Sequence, residues 1–232
     1  MNKPTISFFL PTRKGSERVK NKNTRSFAGI EGGLVENKIR QLLKTKLIDE
    51  IVFSSNDEDC MLVAERYQND SRMKVIERPN ELCLSSTNLQ DLICYVPSVA
   101  MGDHILWGHV TTPFADAEVY DQAIKKYLAN CCSGYDSLVG VTELRNFLLN
   151  KAGKLINNTT SIPWPRTQDL EPIYEINHTI FLASRDVYVQ KKNRLGESPF
   201  LYVMDAVRSL DIDWPEDFTI AETLYRSLYD RV

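Results

Sequence analysis

Short apolar runs alternate with amphipathic stretches over the first two-thirds of the chain. The runs are rich in β-branched and aromatic residues and are nearly continuous, which is typical of strands covered on both faces of a sheet. They predict strands at residues 5–10, 50–55, 73–77, 104–110 and 137–141. The stretches between them predict helices at residues 34–45, 58–68, 89–95 and 118–129. This alternation predicts an α/β fold with a doubly wound, mostly parallel sheet.

The regular pattern weakens after the fifth predicted strand. Residues 146–174 mix Asn, Thr and Pro with little periodicity, and a strand-like run then follows at residues 178–182. A last strand is predicted at residues 208–212, leading into a helix over residues 214–229. Long irregular segments are uncommon inside compact domains. We therefore predict one domain over residues 1–232, in which residues 146–190 form an active-site flap, a dimerisation arm, or both.

Composition and charge exclude some classes of binding partner. The net charge of −3 and the sequence pI of about 5.7 argue against a nucleic-acid-binding protein, whose domain is usually basic. The apolar runs are too short to span a bilayer, so no membrane partner is predicted. The five cysteines form no CxxC pair, and their odd number indicates free thiols in a reducing compartment. The predicted location is the cytoplasm.

A basic loop follows the first predicted strand. Residues 10–25, "LPTRKGSERVKNKNTR", carry six basic side chains and one acidic side chain, Glu17. Ligands of open α/β sheets bind beyond the carboxyl ends of the strands, so this loop is placed to bind a phosphate chain. Gly15 and Ser16 would let backbone N–H groups approach the anion. The loop is neither a Walker A motif nor a GxGxxG motif, and the alternative interpretation is a solvated basic loop.

Two aspartates end the last predicted strand. Asp211 and Asp213 are two residues apart, so in a strand their side chains would point to the same face. Two such carboxylates suit Mg²⁺, which prefers one or two carboxylates together with substrate phosphates. Alternatively, Asp213 caps the following helix in a capping box with Glu216, which leaves Asp211 unexplained.

The basic loop and four later segments resemble one enzyme family. Residues 10–29, "LPTRKGSERVKNKNTRSFAG", resemble the N-terminal signature of the acylneuraminate cytidylyltransferases and their relatives that act on other nonulosonic acids. The segments "ERPNEL", "HVTTPFAD", "PRTQDLEPIYEINHTIFL" and "SLDIDWPEDFTIAE" resemble later family motifs in the same order. The chain departs from the family at Glu17, where members usually have Lys, and at His178, where they have Gly. The resemblance covers essentially the whole chain and implies a Rossmann-like nucleotidyltransferase.

The resemblance also implies an activity and a set of site residues. The activity is transfer of CMP from CTP to an acidic 2-keto sugar, with release of pyrophosphate, by a homodimer that uses Mg²⁺. The implied catalytic residues are Arg13, Lys22, Asp211 and Asp213, the last two being the metal ligands. The implied nucleotide-binding residues are Gly15, Ser16, Asn23, Arg78 and Thr87, and the implied sugar-binding residues are His109, Arg166, Gln168 and Asn177.

Simpler interpretations of several of these residues stay open. Arg78 can be a surface charge, and Arg166 can pair with Asp169. His109 can be a structural histidine, and Asn177 can be a turn residue at a strand start. Two other functions also stay open: a related nucleotidyltransferase of different sugar or base specificity, and a non-catalytic protein that binds sugar nucleotides.

Overall fold

Seven strands form one sheet in the computed structural model, which describes residues 3–15 and 18–229. The strands are β1 (Ile6–Pro11), β2 (Glu50–Ser55), β3 (Met73–Glu77), β4 (His104–Trp107), β5 (Ser137–Leu144), β6 (Ile173–Ser184) and β7 (Pro199–Val203). Their order across the sheet is β3-β2-β1-β4-β6-β5-β7. The bounds of β2 and β3 are those predicted from the sequence. Ser16 and Glu17 lie outside the described residues.

Most strand pairs are parallel, as predicted. Strand β1 pairs in parallel with β2 and β4, β2 with β3, and β5 with β7. Only β6 runs antiparallel within the described sheet, between β4 and β5. The carboxyl ends of β1, β2 and β4 therefore meet at one edge, and the basic loop leaves β1 at that edge.

Helices cover both faces of the sheet. They are α1 (Gly33–Leu42), α2 (Glu58–Glu65), α3 (Leu89–Val99), α4 (Ala117–Cys131), α5 (Arg185–Gln190) and α6 (Pro215–Tyr229). Buried residues of α1, α2, α4 and α6 share one core with Phe8 and Leu10. Those of α3 and α5 share the other core with Phe9 and Trp107. Because successive residues of β1 enter opposite cores, its sequence is apolar without alternation, and the doubly wound prediction is confirmed.

The carboxyl-terminal third departs from the predicted elements. The predicted strand at residues 208–212 is wrong, because this segment is a loop whose Ile212 N–H donates to the Thr111 carbonyl oxygen at 2.9 Å. The last strand is instead β7, which sequence reasoning missed, as it missed α5. Strand β6 begins at residue 173, so the irregular segment covers residues 145–172 and is shorter than the predicted one. None of the helices among the described residues is long and apolar enough to cross a membrane.

A buried lysine fixes the loop between β4 and α4. Lys38 of α1 is fully buried, and its ammonium group donates to the carbonyl oxygens of Thr112 at 2.8 Å and Ala115 at 2.7 Å and to the Tyr120 hydroxyl at 3.0 Å. Burial lowers the pKa of Lys38 from 10.5 to about 7. The loop is therefore held by hydrogen bonds from the Lys38 side chain, whose charged form is disfavoured by burial.

This burial predicts a pH dependence of stability. Between about pH 7 and 10 the unfolded chain binds a proton at Lys38 that the folded chain lacks. The free energy of unfolding should therefore rise with pH in this window, by up to about 1.4 kcal/mol per pH unit. Urea denaturation at pH 7.5, 8.5 and 9.5 should show this contribution in the wild type and in Lys44→Met, an exposed control, and should not show it in Lys38→Met. Equal slopes in all three proteins would contradict it.

Candidate active site

A basic pocket of about 280 Å³ opens beside the loop that follows β1. Gly15 has a φ of +89°, in the left-handed region that favours glycine. The pocket is lined by Pro11, Thr12, Arg13, Gly15, Arg18, Val19, Lys22, Asn23, His109, Val110, Thr111 and Asp213. The structure thus brings Arg13, Gly15, Lys22 and Asn23 together at the sheet edge where the sequence predicted a phosphate site.

An acidic pocket of about 450 Å³ adjoins the basic pocket. It is lined by Thr142, Glu175, Ile176, Asn177, His178, Ala206, Ser209, Asp211, Asp213, Trp214 and Asp217. Among these described residues four are acidic and none is Lys or Arg. Asp213 lines both pockets, so the positively and negatively charged halves of the cleft meet at its carboxylate.

Lys22 connects the basic loop to the segment that carries the two aspartates. Its ammonium group donates to the Ile212 carbonyl oxygen at 2.6 Å and lies 3.9 Å from Asp213 Oδ1. Burial lowers the pKa of Lys22, while the charges of Asp213 and Asp211 act in the opposite direction. The lysine is therefore held at the junction of the two pockets.

The two predicted metal ligands lie on a loop, so the argument from strand periodicity is wrong although both side chains line the acidic pocket. Oδ1 of Asp211 is buried and has no hydrogen-bond partner among the described residues. Burial raises the pKa of the Asp211 carboxyl, against a hydrogen bond from Thr111. Asp213 Oδ1 lies 3.3 Å from Arg18 Nη2. These features leave a buried carboxylate oxygen free for a cation.

Asp217, and not Asp213, caps helix α6. Its Oδ2 accepts the backbone N–H groups of Asp213 at 3.0 Å and Trp214 at 2.7 Å. The capping box predicted with Glu216 is therefore wrong by one residue, because α6 begins at Pro215 and the third helical position is Asp217. The Asp213 carboxylate is left to face the cleft.

Arg78 is buried, which excludes its interpretation as a surface charge. Its guanidinium donates to the Thr12 carbonyl oxygen and, at 3.1 Å, to Cys83 Sγ. Its Nη1 is buried without a partner among the described residues. Arg78 therefore supports the basic pocket from behind Thr12. Thr87 lines neither pocket, and its hydroxyl donates to the Glu81 carbonyl oxygen at 2.6 Å.

His109 is held as a neutral imidazole. Its Nδ1 lies 2.7 Å from the His178 carbonyl oxygen and must donate to it, and its Nε2 accepts from Trp107 Nε1 at 3.2 Å. Burial lowers the pKa of His109 to about 4. With both ring nitrogens engaged, His109 orients the cleft wall and is not available as a general base.

Asn177 and His178 line the acidic pocket at a strained point of β6. The Asn177 Oδ1 accepts the Thr179 N–H at 3.2 Å, and its Nδ2 lies 3.5 Å from Thr142 Oγ1. His178 has a φ of +58°, in the left-handed region that favours glycine. The side-chain amide of Asn177 is therefore positioned at the pocket wall by its neighbours.

Two predicted sugar-binding residues lie outside both pockets. Arg166 and Gln168 are exposed on the irregular segment, and Arg166 makes two hydrogen bonds to Asp169, at 2.8 and 3.0 Å. The pairing alternative is thus the arrangement observed. A contact of Arg166 or Gln168 with a sugar stays a prediction.

Sequence reasoning missed several residues of the cleft as members of the site, among them Arg18, Thr111, Trp214 and Asp217. Arg18 was noted only as one charge of the basic loop. Asp217 carried a signal, since an acidic residue in the first turn of a helix is a usual capping partner. Thr111 and Trp214 carried none, because both enter the cleft through contacts between segments distant along the chain.

Comparisons with known proteins identify the family of this chain. A family model described as cytidylyltransferase matches residues 8–230. The chain is 26% identical to an N-acylneuraminate cytidylyltransferase of Escherichia coli, over 98% of this chain and 56% of that protein. It is 25% identical to a pseudaminic acid cytidylyltransferase of Campylobacter jejuni, over 94% of each. It thus spans little more than half the length of the first relative and nearly all of the second.

Solved structures show the same fold. A CMP:2-keto-3-deoxy-manno-octonic acid synthetase complexed with CTP superposes with a TM-score of 0.66 at 13% identity, over 97% of this chain and 99% of that one. A 4-diphosphocytidyl-2C-methyl-D-erythritol synthase of Anaerococcus prevotii superposes with a TM-score of 0.65 at 12% identity, over 96% of each chain. Since the family match runs from the first strand to the last helix, the chain belongs to the cytidylyltransferase family and is a nucleotidyltransferase.

Proposed function

We propose that this protein transfers CMP from CTP to an acidic 2-keto sugar of the sialic acid or nonulosonic acid class and releases pyrophosphate. The observation that carries the proposal is the junction of a basic pocket and an acidic pocket at Asp213. A triphosphate needs the first, and an acceptor hydroxyl that attacks the α-phosphorus must enter from the second. The activities named for the Escherichia coli and Campylobacter jejuni relatives support the same reaction class.

The basic pocket supplies charge and position in the proposed reaction. Phosphoryl and nucleotidyl transfers ask little covalent chemistry of the protein, so neutralising and aligning the phosphates dominate. Arg13 and Lys22 would bind the phosphate oxygens, and the N–H groups around Gly15 would approach them closely. Asn23 would bind the nucleoside. Arg78, which lines neither pocket, would act on the nucleoside through the Thr12 backbone that it holds.

Asp211 and Asp213 would hold Mg²⁺. The buried Oδ1 of Asp211, which lacks a partner among the described residues, supports this assignment. Mg²⁺ usually binds one or two carboxylates and completes its shell with water and phosphate, so a closed cluster of three protein ligands, which the described residues do not form, is not required. When bound, the ion would neutralise charge on the phosphates and lower the pKa of the attacking hydroxyl.

The acidic pocket would receive the sugar beside Asn177. The sugar bears a carboxylate, yet the described lining of this pocket contains four acidic residues and no Lys or Arg. A carboxylate needs a cationic partner in such a site. A second copy of the chain can supply that cation through its exposed Arg166, which favours a homodimer.

The irregular segment has the composition of a dimer contact. It exposes the apolar side chains of Phe147, Leu149, Ile156, Ile162 and Trp164. The Phe147 and Trp164 rings lie 5.3 Å apart and form one exposed aromatic pair. Contiguous exposed apolar groups of this kind mark interaction surfaces. The proposed dimer would place this segment against the acidic pocket of its neighbour.

Disruption of this surface tests the dimer. Ile162→Asp should convert the dimer into monomers at micromolar concentration, because it buries a charge in the proposed contact. Leu62→Asp is a matched control, since Leu62 and Ile162 are both 58% exposed and Leu62 lies on α2. Light scattering gives the mass of each variant. A wild-type protein that is monomeric at this concentration would contradict the dimer.

The nucleotide and sugar preferences test the reaction itself. Pyrophosphate release should be at least about a hundredfold faster, in kcat/KM, with CTP than with ATP, GTP or UTP, because a site that hydrogen-bonds one base leaves its polar groups unpaired with another. The assay combines each nucleotide with a panel of acidic sugars that includes sialic, pseudaminic and legionaminic acids. Equal release from all four nucleotides would overturn the cytidylyl assignment. Absence of release with every sugar would favour a protein that only binds sugar nucleotides.

The chemistry of the cysteines supports a cytoplasmic location. All five are free thiols in the structure. Free thiols persist in a reducing compartment. This supports the cytoplasm as the place of the reaction.

A further inference from the structure

Arg18 lies at the junction of the two pockets with contacts that hold it loosely. Its Nη2 is 3.3 Å from Asp213 Oδ1, and its Cζ is 4.8 Å from the centroid of the Trp214 ring. The Arg18 side chain is 49% exposed, as is that of Asp213. Exposed ion pairs and exposed contacts between a cation and an aromatic ring each contribute little to stability. Arg18 can therefore leave Asp213 easily.

Lys22 shares the same carboxylate oxygen but cannot leave as easily. It lies 3.9 Å from Asp213 Oδ1, and its hydrogen bond to the Ile212 carbonyl oxygen holds its partly buried ammonium in place. Of the two cations at Asp213, Arg18 is thus the exchangeable one. A divalent ion at Asp211 and Asp213 would repel Arg18, since like charges a few Å apart interact unfavourably even in a high dielectric.

We propose that Arg18 is a placeholder cation that neutralises Asp213 in the metal-free cleft and moves to the triphosphate when a divalent ion takes the carboxylate. This inference rests on the proposed function, because it assigns Arg18 a phosphate-binding role in the same site. Arg18 already lines the basic pocket, so the movement needs only rotation of its side chain away from Asp213. The Trp214 ring provides the surface along which the guanidinium turns.

The exchange predicts effects of opposite sign. Removal of Arg18 takes a competing cation away from Asp213, so the metal ion alone should bind more tightly. The same removal takes a cation away from the phosphates once metal has occupied Asp213, so CTP in the presence of saturating metal should bind less tightly. A purely structural role of Arg18 would weaken both.

Binding of Mn²⁺ alone tests the first effect. Mn²⁺ takes the same oxygen ligands as Mg²⁺, and its free concentration is measured by electron paramagnetic resonance. The dissociation constant should fall about tenfold in Arg18→Met, a change of about 1.4 kcal/mol, and by less than about twofold in Arg66→Met, which removes the same charge from an exposed site on the C-cap of α2. An unchanged or weaker affinity for Mn²⁺ in Arg18→Met would overturn the exchange.

Binding of CTP at saturating Mg²⁺ and without sugar, so that no turnover occurs, tests the second effect. Isothermal titration should give a dissociation constant about tenfold higher for Arg18→Met than for wild type and Arg66→Met. Unchanged affinity for CTP would overturn the phosphate role of Arg18. The two binding outcomes are independent of turnover. If both shifts in dissociation constant are observed, the exchange is supported even when no pyrophosphate is released with any sugar. If neither shift is observed, the exchange is contradicted even when the enzyme is active.

Tryptophan fluorescence reports the movement directly. A guanidinium that leaves the Trp214 face changes the emission of that ring. Titration with Mg²⁺ alone should change the fluorescence of the wild type but not that of Trp214→Phe, which retains Trp107 and Trp164. A change of equal size in Trp214→Phe, or none in the wild type, would contradict the departure of Arg18 from the ring.

Discussion

Asp211→Asn is expected to reduce turnover by at least about a hundredfold without loss of the fold, because a metal ligand typically supplies several kcal/mol of transition-state stabilisation. The buried Oδ1 of Asp211 has no partner among the described residues, so the carboxylate is available to a cation. Burial raises the pKa of this carboxyl, which means that its ionised form is unfavourable in the folded protein. Asn removes the buried charge, and the thermal midpoint should stay unchanged or rise.

The measurement is pyrophosphate release at saturating Mg²⁺ beside the thermal midpoint. Asp91→Asn is the matched control, because Asp91 is exposed in the first turn of α3 and lines neither pocket. Asp213→Asn should lose activity to a similar extent, since α6 is capped by Asp217 and the variant keeps that cap. Near-normal turnover in both variants would remove the metal site as proposed.

Lys22→Met is expected to lower turnover by about a hundredfold to a thousandfold, the usual cost of removing one preorganised group that stabilises developing charge. Lys22 is anchored between the basic loop and the Ile212 carbonyl oxygen. Its loss takes a cation from the phosphates and a link from the segment that carries Asp211 and Asp213. Both effects slow the proposed transfer of CMP.

Steady-state kinetics of Lys22→Met should show the loss in kcat/KM for CTP, whereas Lys44→Met, at an exposed site beyond α1, should behave as wild type. In the double variant with Asp213→Asn, the loss of transition-state stabilisation should be smaller than the sum of the losses in the two single variants. The reason is that the two side chains lie 3.9 Å apart and act together. Strict additivity would contradict a shared role.

The sequence by itself determined the architecture and the first half of the site. The apolar runs of β1, β2 and β4 are nearly continuous because residues such as Phe8 and Phe9 enter opposite cores, and this pattern is local. The position of the basic loop followed from the same reasoning, since a loop after β1 of a parallel sheet must leave at the carboxyl edge. The family motifs added the expected chemistry of that loop.

The tertiary structure alone decided the second half of the site. The argument that placed Asp211 and Asp213 in a strand was wrong. Their segment is held by two hydrogen bonds: the Ile212 N–H donates to the Thr111 carbonyl oxygen, and the Lys22 ammonium, 190 positions away in the chain, donates to the Ile212 carbonyl oxygen. Strand β7 was missed although its residues, PFLYV, are apolar, and only the folded chain shows that it pairs with β5 as an edge strand.

The sequence also could not predict the contacts of Arg18 and Arg166. Both are cations in segments that the sequence marked as functional, yet one faces Asp213 and the other pairs with its neighbour Asp169. Periodicity and motif spacing describe neighbours within a few positions. Which distant side chains converge depends on how the segments pack, and only the folded chain brings those charges together.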